Sequence, residues 1–124
     1  MKIILINNSH AIYQGLSTPV GTEARQLANL AQLLVLHGHH VDLYDLNAIP
    51  TEYKRDDSFS NLRMFCGTEK HLLDKHYNVC VIKGDQFAEN IVSSDYYMYS
   101  PFYQLRHGGG ATGIFAAILN ATKG

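Results

Sequence analysis

The sequence predicts an α/β fold: a three-layer sandwich on a mainly parallel sheet. Three observations carry that expectation. Ile3-Ile4-Leu5-Ile6 is apolar at consecutive positions, as a strand buried on both faces must be. Apolar residues then recur at helical spacing between Thr22 and Gly38. Val41-Asp42-Leu43-Tyr44 follows directly and alternates like a strand. Strand, loop, helix and strand make a βαβ unit, the block from which Rossmann-like parallel sheets are assembled.

Each element has its local reason. Residues 1–7 form the first strand, and an apolar strand of this kind belongs in the centre of the sheet. Asn8 to Gly21 is a long polar loop with Gly15 and Pro19. A loop at the carboxyl end of a parallel strand is where open α/β folds bind ligands. Thr22 can cap the helix, because its hydroxyl accepts an orphaned backbone N–H. Glu23 suits the positive end of the helix dipole. Ala24, Leu27, Ala28, Ala31, Leu34 and Val35 form one apolar face. Gly38 ends the helix, since glycine takes the left-handed conformation without steric cost. His37 fits the negative end of the dipole.

Further along, Lys54-Arg55-Asp56-Asp57 reads as solvated surface. A second helix is expected over Ser58 to Lys75, with Phe59, Leu62, Phe65, Cys66, Leu72 and Leu73 on one face and Gly67-Thr68 as a break. Asn78 to Ile82 is the third expected strand. Phe87 to Gln104 holds Tyr96, Tyr97, Tyr99 and Tyr103 with no clean period, and reads as irregular or short helical. Arg106-His107-Gly108-Gly109-Gly110 is a glycine-rich loop. Thr112 to Thr122 reads as a closing helix, apolar at Ile114, Phe115, Ile118 and Leu119. That face is expected either to dock on the sheet or to pack against a second chain.

Composition limits the function classes. A chain of 124 residues is one domain by length, with an ordinary apolar fraction of 46%. A formal charge of -1 gives no broad electrostatic footprint for nucleic acid or an acidic membrane. Cys66 and Cys80 sit in apolar surroundings and fit no zinc spacing, so both read as reduced, buried thiols of a cytoplasmic protein. No stretch is long enough for a signal peptide or a membrane span. The histidines show no ligand spacing, and no metal is expected.

The candidate ligand-binding residues cluster in the loops. Gly15, Gly21 and Thr22 make the best anion site, through backbone N–H groups at a helix start. Glu23 can reach sugar hydroxyls. Ser9 and His10 follow the first strand, and Asp85 follows the third. Arg106, with His107, Gly108 and Gly109, can close on a diphosphate, because Arg binds phosphate through two N–H groups and glycine exposes backbone N–H. The His-Gly-Gly-Gly string is similar to an esterase oxyanion loop, but the chain has no Gly-x-Ser-x-Gly elbow. No catalytic residue is assigned.

Gly21-Thr22-Glu23, Leu27-Ala28, Leu33-Leu34, Gly38-His39 and Val41 together resemble the N-terminal domain of GT-B glycosyltransferases. Tyr77 to Ile82 resembles the third strand of that fold. The layout is also similar to phage DNA glucosyltransferases. Where that family often doubles the glycine before Thr-Glu, this chain has Val20-Gly21. The resemblance implies one Rossmann-like domain over residues 1–124, the acceptor-side half of a larger enzyme. It implies a nucleotide-sugar donor, an acceptor hydroxyl, no tightly bound cofactor, and a second domain or subunit that holds the donor. DNA as acceptor rests on the phage resemblance alone. The chain by itself is expected to be inactive.

A runner-up comes from another class. Ser17 to Glu23 also resembles the phosphate loop of flavodoxins, which implies FMN. The spacer from the first strand is longer than flavodoxins have. A third reading is a non-catalytic Rossmann-like binding subunit.

Overall fold

The structure, a computed structural model, describes residues 1–7, 22–46, 48, 55, 57–83, 90–100, 116, 118 and 120; at 22–26, 83, 99 and 100 it describes the backbone alone. The first strand, β1 (Lys2–Asn7), leads to helix α1 (Thr22–Leu36) and strand β2 (His40–Asp45). Strand β3 (Leu62–Cys66) runs into a 3-10 segment (Gly67–Leu72), then β4 (His76–Lys83) and β5 (Ser93–Ser100). The described strands form one five-stranded sheet in the order β3-β2-β1-β4-β5, with every neighbouring pair parallel.

β1 is central, as its apolar run requires. Ile3, Ile4, Leu5 and Ile6 are all fully buried. The expected partnership with the 78–82 strand is present: Ile3 lies opposite Val79 and Ile6 opposite Ile82. On one face, Ile3, Leu5, Val41, Leu43, Val79 and Val81 meet the α1 stripe of Leu27, Ala28, Leu30, Ala31, Leu34 and Val35. Ile118, at a helical position in the closing segment, is buried in that same core. It therefore docks on the sheet of its own chain. Ile114, Phe115 and Leu119 lie outside the described residues.

The other face buries Ile4, Ile6, Tyr44, Phe65, Tyr77, Cys80, Ile82 and Val92. Its described cover is thin. Leu73, at the end of the 3-10 segment, and Ile91, just before β5, pack against it. Tyrosine hydroxyls tie these crossings to the sheet. Tyr44 donates to the Gly67 carbonyl (3.0 Å), and Tyr97 donates to the Val92 carbonyl (2.9 Å).

Gly38 does end α1, at φ 85°, and lets the His39 N–H reach back to the Leu34 carbonyl (3.1 Å). His37 Nδ1 donates to the Leu33 carbonyl (2.9 Å), so the histidine serves the helix end. Asn61 Nδ2 donates to both the Val35 and His39 carbonyls, joining that end to the start of β3.

Two expectations are corrected. Residues 58–75 are not a helix: residues 62–66 pair with β2 as an edge strand, followed by the short 3-10 segment. A short apolar run fits a doubly buried strand as well as a helix face, and pairing with β2 decided between them. Residues 93–100 are neither irregular nor helical. They form β5 beside β4. Tyr97 packs into one core and Met98 into the other, while Tyr96 is exposed, so the strand shows no simple alternation.

Arg55 is exposed, as a solvated patch requires, yet it has partners. Its Nε donates to the Met64 carbonyl on edge strand β3 (3.1 Å), and its Nη2 pairs with Glu69. Lys54 and Asp56 lie outside the described residues.

Candidate functional site

In a parallel sheet all strands end at one edge. Here the last register row reads Cys66, Asp45, Asn7, Lys83, Ser100 across β3-β2-β1-β4-β5. The row before it is Phe65, Tyr44, Ile6, Ile82, Tyr99. Hydrophobic strands thus give way together, in register, to a polar rim. The winding reverses between β1 and β4, because β2 and β3 lie on one side of β1 and β4 and β5 on the other. A ligand crevice in an open α/β sheet opens at such a switch point, outside the carboxyl ends of the strands.

Asn7 and Asp45 stand side by side in this rim, at the end of β1 and β2. Both are fully buried, and Asn7 Nδ2 donates to Asp45 Oδ1 at 3.3 Å. The Asn7 carbonyl accepts from the Leu46 N–H (3.1 Å), and the Asp45 carbonyl from the Ala48 N–H (3.2 Å). The chain leaving β2 is therefore pinned across the end of β1. The C-terminus of α1 lies at the amino edge, where His40 N donates to the Met1 carbonyl. Its 15 residues span about 22 Å, so its N-terminus reaches the carboxyl edge.

Thr22 and Glu23 occupy the first turn of α1, and their side chains are outside the described residues. Ser9, His10, Gly15, Gly21, Asp85, Arg106, His107, Gly108 and Gly109 also lie outside the described residues. They belong to the segments that follow β1, β4 and β5, and those three strands end at this same edge. Sequence reasoning overlooked Asn7 and Asp45. Their signal was available: each is a polar residue that closes a buried strand.

At the end of β3, Cys66 Sγ donates to Glu69 Oε1 (3.1 Å), and the Cys66 N–H donates to the same oxygen (3.0 Å). Burial opposes the Glu69 carboxylate, but the Cys66 bonds and Arg55 outweigh it and hold its pKa below the ordinary value. Both cysteines are free and buried, as expected.

A second polar cluster occupies the amino edge and was also missed. Arg63 binds Asp42 through two bonds, Nε to Oδ1 (2.8 Å) and Nη2 to Oδ2 (2.6 Å). It also reaches Asp74 (3.0 Å), which pairs with Lys2 (2.8 Å). Buried Tyr77 donates to Asp42 Oδ2 (2.5 Å) and accepts from the Asp74 N–H (3.0 Å). These groups satisfy one another around a cleft of about 380 Å³. They hold the β3–β4 crossing against the sheet. The hydrogen bonds with Asp42 are the largest cause keeping the Arg63 guanidinium pKa above its usual value.

Fold and rim define the class: a Rossmann-like α/β domain with an all-parallel sheet and a polar carboxyl edge. Comparison with protein-family models, with characterised proteins and with solved structures finds no match. Among the described residues no helix is long and apolar enough to cross a membrane, and no cluster of three or more His, Cys, Asp or Glu side chains is placed to hold a metal ion.

Proposed function

We propose that this chain is the acceptor-side half of a GT-B-type glycosyltransferase, in which a sugar passes from a nucleotide-activated donor to an acceptor hydroxyl. The observation that supports the reading is the strand order β3-β2-β1-β4-β5, with its reversal beside the polar rim. Flavodoxin-like sheets wind in the order 2-1-3-4-5, with one strand beyond the first rather than two. The order therefore favours the glycosyltransferase reading over the flavin one.

In this reading the buried Asn7–Asp45 pair braces the crevice floor. Ser9, His10, Glu23 and Asp85 supply polar contacts, Glu23 to sugar hydroxyls; Gly15, Gly21 and Thr22 offer N–H groups to an anion; and Arg106, His107, Gly108 and Gly109 close on a diphosphate. A base deprotonates the acceptor hydroxyl, while N–H groups and cations stabilise the departing diphosphate. Donor binding falls to the second half of the fold.

Amide spectra recorded during titration with oligosaccharide acceptors test the proposal. Shifts at Asn7, Asp45 and the first turn of α1 are expected, from a colourless protein whose melting temperature FMN does not raise. A yellow protein, or one stabilised by FMN, would overturn it. Residues 1–124 alone are expected to transfer no sugar, and turnover would remove the assignment as a half-enzyme.

A further inference from the structure

At the amino edge of β4 and β5 lies a constellation that sugar transfer does not use. Ser93 Oγ and His76 Nδ1 are 2.8 Å apart, and His76 Nε2 and Asp95 Oδ1 are 2.8 Å apart. Asn78 Nδ2 donates to the other oxygen, Asp95 Oδ2, at 3.3 Å. The Asn78 side-chain carbonyl is itself anchored by the Lys2 N–H (2.8 Å).

The bonding selects a tautomer. A carboxylate can only accept, so the neutral ring carries its proton on Nε2, toward Asp95. Nδ1 is then the bare nitrogen, and the Ser93 hydroxyl donates to it. The hydrogen bond from His76 is the largest cause holding the Asp95 carboxyl below its ordinary pKa, which keeps this acceptor ionised. The arrangement is a hydroxyl, a base and a carboxylate that orients the base, the logic of nucleophilic serine sites. The ring nitrogens are exchanged relative to the usual serine-protease pairing, but the proton path is equivalent. All three residues are exposed, with the His76 and Asp95 side chains about half accessible at 51% and 52%, so a small substrate can reach Ser93. The neighbouring charges Lys2 and Asp74 are engaged with each other.

We propose that Ser93, His76 and Asp95 form a second site, which takes the acyl group from activated esters. Ser93 Oγ attacks the ester carbonyl carbon as its proton passes to His76 Nδ1. The bond from carbonyl carbon to the leaving oxygen breaks, and His76 returns the proton to the departing oxyanion or to solvent. Nothing is oxidised or reduced. The open surface leaves the developing oxyanion to water, so the acceleration is that of general-base catalysis, and the substrates are esters with good leaving groups such as aryl esters.

Ser94 supplies an internal control. It is the adjacent serine, and its Oγ donates to the Tyr96 carbonyl rather than to a base (3.0 Å). The intact protein is treated with 4-nitrophenyl acetate, and acetylation at Ser93 and Ser94 is followed by peptide mapping over time. Ser93 is expected to acetylate about 10²-fold faster than Ser94. His76→Gln should bring Ser93 to the Ser94 rate. Asp95→Asn should slow Ser93 at least about tenfold. Equal rates at the two serines in the unaltered protein would overturn the proposal, as would a Ser93 rate that His76→Gln leaves unchanged.

Discussion

Asp42 stands mid-strand in β2 with 5% of its surface exposed, and Arg63 and Tyr77 both bond to it. Removing a partner from a buried polar group costs about 1–3 kcal/mol, because the group left behind stays out of water. Tyr77→Phe should therefore lower stability by about that amount in urea unfolding. Burial, followed by the bond to Asp42, raises the Tyr77 phenol pKa above its ordinary value. The folded state thus holds this proton more tightly than the unfolded one. The contribution is complete below about pH 10 and is lost as pH rises further. Tyr77→Phe should remove that alkaline loss. Asp74 has the opposite sign. The hydrogen bond from Lys2 lowers its pKa, Arg63 adds to the effect, and burial opposes it. Its contribution is present above about pH 4 and lost as pH falls. Both partners are partly exposed, so the pairing is worth less than about 1 kcal/mol. Asp74→Asn should flatten the acid limb of a stability–pH curve by no more than that.

Two glycines separate conformational strain from steric contact at the element scale. Gly38 closes α1 at φ 85°, with nothing within 4 Å of where a Cβ would stand. Gly38→Ala meets only the backbone penalty of the left-handed region, about 1 kcal/mol. Gly67 opens the 3-10 segment, where an added Cβ would clash with the Leu46 backbone carbonyl. That carbonyl belongs to the chain leaving β2 and has little room to give. Gly67→Ala should cost more than Gly38→Ala, about 1–3 kcal/mol by analogy with overpacking. Urea midpoints of the two variants give the order, and the reverse order would contradict this packing. At the sheet edge, Arg55 occupies the Met64 carbonyl of β3, which an incoming strand could otherwise use. Arg55→Ala should change stability by less than about 1 kcal/mol. It should nevertheless raise concentration-dependent association, read by light scattering.

Across the whole molecule, the closing segment and α1 share one core through Ile118, which is fully buried among α1 and sheet residues. Ile118→Ala should cost about 2–5 kcal/mol in unfolding, the range for emptying a packed site. An unchanged unfolding midpoint would show that this segment does not dock. Among the described residues, the opposite face is held by a short 3-10 crossing, tyrosine hydroxyls and the amino-edge charges. The proposed sugar-transfer crevice and the proposed acyl site lie at opposite edges of one sheet, so substitutions at His76 or Ser93 should leave acceptor binding at Asn7 and Asp45 unchanged.

The sequence by itself determined the fold class, β1, α1 with its glycine stop, β2 and the 78–82 core of β4. Those elements declare themselves locally: an unbroken apolar run, a helical stripe and a glycine at positive φ carry their conformation in their own residues. It also pointed to the loops after β1 and β4 as ligand territory, because strand ends are visible in composition. Only the tertiary structure decided β3 and β5. Residues 62–66 and 93–100 suit more than one conformation, and pairing with β2 and β4 selects the strand. The Asn7–Asp45 bond, the bonds of Asp42 to Arg63 and Tyr77, and those of His76 to Ser93 and Asp95 join residues 17 to 38 positions apart, and the polar rim sets Asn7 beside Lys83. Register places such groups side by side, and register is a property of paired strands that no single strand carries.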